Sequence, residues 1–209
     1  SVRPFLVLAG LALGMPSLLA ADPAARHVAI DAPDGVELAA TYWSPGKPGP
    51  GIVLLHMCNS SREAWFGLGG QLARKGFHVL AHDYGGYGGS GGERSQDPQQ
   101  QGRNITEKWP GDVDAAFALL TSQTGVDRQR IGAAGGSCGV DQAIQLARRH
   151  AEVKTLVLLA GGTNREGENF LDASPWLPIL AVAADDDGNA VQEMEWLSGF
   201  SVNERNRLL

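Results

Sequence analysis

Ser137 is bracketed by glycines in Gly135-Gly136-Ser137-Cys138-Gly139, which fits the G-x-S-x-G pattern of a nucleophile elbow. A serine on a sharp strand-to-helix bend has a strained backbone, and its neighbours must be small enough for other backbone to pass close by. In return the hydroxyl is held out at the end of a sheet, where it can attack a carbonyl carbon. The N–H of the next residue, Cys138, then faces the oxygen on which negative charge develops. A plainer assignment competes, since serine is also a favoured helix N-cap. Context separates the two: an apolar strand must run into the motif and an amphipathic helix must leave it.

Both are present. Residues 131–134 read as a short apolar strand, and residues 140–150 as a helix with Val140, Ala143, Ile144 and Ala147 along one face. The rest of the chain supplies the sheet such a bend requires. Residues 27–31 and 36–42 alternate apolar and polar around Pro33-Asp34-Gly35, an antiparallel hairpin. Residues 45–51 are turn-forming. Ile52-Val53-Leu54-Leu55 is a continuous apolar run suited to a strand covered on both faces. Further strands fall at 77–81, 155–160 and 178–184, and helices at 62–75, 112–122 and 190–197. Residues 93–101 are polar and read as a surface loop, and 160–178 leave room for one short helix. Alternating strands and helices imply right-handed crossovers and a mostly parallel, doubly wound α/β sheet. Ligand sites in such sheets gather at the carboxyl ends of the strands, where His56-Met57-Cys58, Asp83, Ser137 and Asp185–Asp187 all fall.

The chain has 209 residues, room for one such domain, and its net charge of −6 with scattered basic residues argues against a nucleic-acid partner. Residues 1–21 read as an export signal: Arg3, an apolar run over residues 5–15, and a small-residue cleavage site in Ser17-Leu18-Leu19-Ala20-Ala21. The run is short for a membrane span. The mature domain, 22–209, is therefore expected in the periplasm or secreted, and free of the membrane after cleavage. A retained anchor is the competing reading. Export would place the two cysteines in an oxidising compartment.

Taken together, these motifs resemble the α/β-hydrolase superfamily, in the style of its dienelactone-hydrolase-like and serine-peptidase-like members. Residues 131–139 look like the family's nucleophile strand and elbow. Leu54-Leu55-His56-Met57-Cys58 looks like its L-L-H-G-x stretch, with Met57 in place of the usual glycine. Asp83-Tyr84-Gly85-Gly86-Tyr87-Gly88-Gly89-Ser90 looks like its D-x-x-G-x-G-x-S turn. The resemblance implies an α/β-hydrolase fold with Ser137 as nucleophile. Backbone N–H groups of Cys58 and Cys138 would form the oxyanion hole, and a carboxylate after residues 179–184 would orient a histidine. The family register favours Asp187, then Asp186. His56 would be structural, tying its loop to neighbouring backbone. The two oxyanion positions should converge, so a Cys58–Cys138 disulfide and a pair of buried free thiols are both open.

The five histidines are His27, His56, His78, His82 and His150, and none falls after an eighth strand, where the family carries its general base. The expectation is therefore a C-terminally incomplete, inactive piece lacking its last strand and its histidine. The complete protein would act by acyl transfer on a small-molecule ester or related substrate, with no metal or organic cofactor. Esterase, lactonase and peptidase chemistry are not separated, and oligomeric state is unspecified. The alternatives are a non-catalytic binding module on this scaffold, or a dienelactone-hydrolase-like enzyme using Cys138, against which the glycine register argues. Gly86-Tyr87-Gly88-Gly89-Ser90-Gly91 also satisfies G-x-G-x-x-G, but no apolar-striped helix follows it, so a dinucleotide site is not expected.

Overall fold

The computed structural model describes residues 25–209; the expected export signal lies outside them. Eight strands form one sheet in the order β1-β2-β4-β3-β5-β6-β7-β8. Strands β1 (Ala25–Asp31) and β2 (Glu37–Trp43) pair antiparallel, and β2 pairs antiparallel with β4 (His78–His82). From β4 onward every pairing is parallel, through β3 (Gly49–Leu55), β5 (Val126–Gly136), β6 (Val153–Leu159), β7 (Ile179–Val182) and β8 (Arg207–Leu208). The hairpin and the parallel sheet expected from the sequence are both present. One expectation needs correction: the last strand is not missing but present as β8, two residues long, continued by Leu209 N–H donating to Ala181 O at 2.9 Å.

Successive residues of a strand point to opposite faces, and the central strands separate accordingly. Ile52, Leu54, Val79, Ala81 and Ala134 join the core beneath α1 (Phe66–Arg74). Val53, Leu55, Leu80, Ile131 and Ala133 face α3 (Trp109–Ser122) and α4 (Cys138–Arg149). Helices α5 (Arg165–Asp172) and α6 (Gly188–Gly199) add Leu171, Met194 and Leu197 to that second core.

Residues 93–101 are only partly the loop read from the sequence. Asp97 accepts the N–H of Gln99 at 2.9 Å and caps α2 (Pro98–Arg103), which continues through a π-helical turn (Asn104–Lys108) into α3. Asp at the cap and Pro at the first helical position are helix-start signals that a search for apolar periodicity passes over.

No helix among the described residues is long and apolar enough to cross a membrane.

Candidate active site

Ser137 sits between the end of β5 and the first residue of α4, exposed, with φ 50° and ψ −118°. Non-glycine residues at positive φ are strained, and such strain concentrates at functional positions. The bend is fixed on both sides: Ser137 N–H donates to Leu159 O of β6, and Val140 N–H donates to Ser137 O, each at 2.9 Å. The Ser137 side chain makes no capping hydrogen bond, so its hydroxyl is not spent as a helix N-cap. The flanking glycines are steric requirements. A Cβ on Gly135 would collide with the Gly139 carbonyl, and one on Gly139 with the Leu55 carbonyl.

Cys58 and Cys138 form a disulfide with Cα atoms 5.5 Å apart. The two positions the family resemblance assigns to the oxyanion hole are thus adjacent, beside Ser137. While the bond is in place Cys138 has no free thiol to act as nucleophile.

The Cys58 loop is tied down by His56, which is fully buried. Its Nδ1–H donates to Met57 O at 2.7 Å, and its Nε2 accepts the Tyr84 N–H at 3.3 Å. Burial holds the ring's pKa below that of a free imidazole, favouring this neutral form. Arg94 donates to Cys58 O at 3.2 Å while lying over the Tyr87 ring.

Asp83, also fully buried, locks the turn after β4. It accepts Arg62 N–H at 2.6 Å and Gly89 N–H at 2.7 Å, and forms an ion pair with the Arg62 guanidinium. Ser90 Oγ–H donates to Asp83 O at 2.7 Å and accepts the Ala39 N–H at 2.9 Å. The glycine-rich turn is thereby folded on itself, its amides engaged with the protein.

Asp185, Asp186 and Asp187 are all exposed beyond β7. Asp187 N-caps α6, accepting Ala190 N–H at 3.1 Å. The other four histidines are held elsewhere. His27 lies 3.2 Å from Thr41 Oγ1, and His78 accepts from Tyr42 and donates to Lys47 O. His82 is buried in β4, and His150 donates to Asp114 at 2.9 Å.

A cavity of about 270 Å³ opens beside Ser137, walled by Met57, Ala64, Trp65, Leu159 and Ala160. Ala160 is, with Ser137, one of two non-glycine residues at positive φ among the described residues, at 48°, and its N–H donates to Val182 O at 2.9 Å. In the sequence Trp65 reads only as part of the apolar face of the 62–75 helix and Ala160 as a strand end; Trp65, in the helical turn before α1, joins the site by packing near Gly136, and Ala160 by following β6, which pairs with β5. A larger cavity of about 510 Å³ lies by the end of α4 and the start of β6, lined by Arg148, Lys154 and Trp176 and remote from the elbow. No group of three or more His, Cys, Asp or Glu among the described residues is arranged to hold a metal.

The sheet order and the strained serine bend between β5 and α4 are those of an α/β-hydrolase. Residues 46–186 match the family model described as "Serine aminopeptidase, S33", and the chain belongs to that family of hydrolases. An uncharacterized protein of Mycobacterium tuberculosis is 31% identical over 173 residues, covering 82% of this chain. The chain spans only 57% of the length of that relative. Among solved structures, an esterase of Pyrococcus furiosus superposes with a TM-score of 0.71 at 20% identity, covering 99% of this chain and 88% of its own. The Butyrivibrio proteoclasticus protein Est1E, with ferulic acid bound, also gives 0.71, at 19% identity over 87% of this chain and 88% of its own.

Proposed function

We propose that this protein is a serine hydrolase that cleaves an ester or related acyl bond of a small molecule. The observation that carries the reading is Ser137 itself, an exposed hydroxyl on a positive-φ bend, uncapped and facing a cavity. Ser137 Oγ attacks the carbonyl carbon as a histidine takes its proton, and the carbonyl oxygen becomes an oxyanion between the N–H groups of Cys58 and Cys138. Collapse expels the leaving group, which takes the proton from the imidazolium. Water, activated by the same imidazole, then releases the acid and restores the hydroxyl. Each oxyanion donor contributes about 3 kcal/mol to such a step.

Asp187 is assigned as the carboxylate that orients the histidine. The base itself is assigned to a histidine outside these 209 residues, because the five within them are held at other positions. Export to the periplasm or the exterior belongs to the same proposal, supported by the Cys58–Cys138 pairing. The apolar cavity wall suits a small or medium apolar acyl or alcohol group.

The test is hydrolysis of chromogenic short-chain esters by the full-length protein beside Ser137→Ala. Turnover lost at least a thousandfold in the variant is expected. Equal turnover in both rejects Ser137. Absent turnover in both favours the non-catalytic binding module.

A further inference from the structure

We propose that the Cys58–Cys138 disulfide is a positioning bond for acyl transfer, holding the two oxyanion-binding amides at a fixed separation so that its reduction lowers the turnover of each active site. The inference rests on the serine-hydrolase reading above.

The bond lies at the carboxyl end of the sheet, beyond the β3–β5 pairing. Strands β3 and β5 are paired in parallel, and the last pair in their register is Leu55↔Gly135. Each cysteine follows its member of that pair by three residues, so the bond sits just past the end of the ladder. The strands are already in register without it. What it adds is a constraint where backbone hydrogen bonding between them has stopped. There the chain departs as a turn on one side, with Ser60 N–H donating to Met57 O at 3.1 Å, and as the first residue of α4 on the other.

The surrounding contacts assign the bond a local task. The Cys58 turn is held from beneath by His56 and at its carbonyl by Arg94. None of these contacts reaches α4. The disulfide is a direct covalent link between the residue after the nucleophile and the facing turn. Oxyanion stabilisation depends steeply on donor placement, since preorganised donors act without reorganising during the reaction. Both cysteines are only partly buried, so a small reductant reaches them.

The test uses the full-length protein, oxidised, reduced with a water-soluble phosphine, and as Cys58→Ser/Cys138→Ser. The phosphine is oxidised to its oxide by oxygen from water as each S–S becomes two S–H groups. Active sites are counted by the endpoint of fluorophosphonate labelling, and kcat and KM are measured on a chromogenic ester. Near-UV circular dichroism reports folding. Reduction is expected to lower kcat per labelled site by about tenfold to a hundredfold, short of the roughly 10²–10³ lost when a donor is deleted. KM should change far less, and reoxidation should restore kcat. The double variant should match the reduced enzyme and ignore the phosphine.

An unchanged kcat per labelled site alongside a lower melting temperature overturns the proposal, leaving a bond that only stabilises the fold. The reduced wild type decides the matter if the double variant does not fold. Oxidised protein that neither turns over ester nor accepts the label overturns the serine reading, and this inference with it.

Discussion

The Ser137 amide is hydrogen-bonded to the Leu159 carbonyl at 2.9 Å, so the bend that presents the hydroxyl is pinned to the neighbouring strand. Its strain is carried by the sheet, and closely passing backbone on the other side leaves no space for side chains. Gly139→Ala is therefore expected to destabilise the protein by about 3 kcal/mol or more, because the clash is with the Leu55 carbonyl, which cannot swing away. Ser137→Ala should stay within about 1 kcal/mol of wild type, since the side chain makes no capping bond. Urea unfolding of the two variants measures the contrast.

Asp83 holds the glycine-rich turn from inside the protein. Asp83→Ala removes the acceptor for two amides and leaves the Arg62 guanidinium without its carboxylate, only Thr41 Oγ1 remaining as acceptor, so a loss of about 3–5 kcal/mol is expected. Arg62→Lys, keeping the charge but not the fork, should cost less. Chemical denaturation at neutral pH checks the order of the two.

Stability should depend on pH through buried groups pulling in opposite directions. His82 is fully buried, and burial lowers its pKa to about 3; its two ring nitrogens have no partner. The unfolded chain therefore takes up the proton first, near 6.5, and stability is lost as pH falls below that. Burial lowers the pKa of His56 and His78 as well, with the same sign. Asp112, 3% exposed, is raised from 3.8 to about 6, chiefly by burial. Its folded form keeps a proton that the unfolded form releases, so between those values it loses stability as pH rises. Asp112→Asn should be more stable at pH 7, by up to about 3 kcal/mol, and should fall more steeply on acidification because the opposing group is gone. Urea midpoints measured from pH 4 to 8 test both signs.

Cavity size should set substrate preference if Ser137 is the nucleophile. Met57→Ala widens the space over Gly136, where its sulfur now lies, and should favour longer acyl chains. Each additional buried methylene contributes about 0.8 kcal/mol, or roughly fourfold in kcat/KM. Leu159→Phe should shift preference toward acetate. The readout is the ratio of kcat/KM for butyrate and acetate esters, which cancels any common change in catalysis.

The sequence made the central sheet legible because its strands are continuous apolar runs or clean alternations, as at Ile52–Leu55. The elbow was legible because Gly135 and Gly139 are fixed by close backbone contacts. Asp83 was placed at a strand end, but its burial and its partner Arg62, 21 residues away, belong to the three-dimensional turn. Helix α2 has no apolar periodicity because none of its residues is buried, and its cap at Asp97 is local chemistry. The cavity walls from Trp65 and Ala160 required the crossovers to be assembled. Strand β8 is too short for alternation to register.

Whether Ser137 is the nucleophile is decided by the site of fluorophosphonate attachment in the full-length protein, read by peptide mass spectrometry. One adduct is expected, on Ser137, abolished by prior denaturation and absent in Ser137→Ala. An adduct on another residue, or labelling that persists in the alanine variant, would contradict that role.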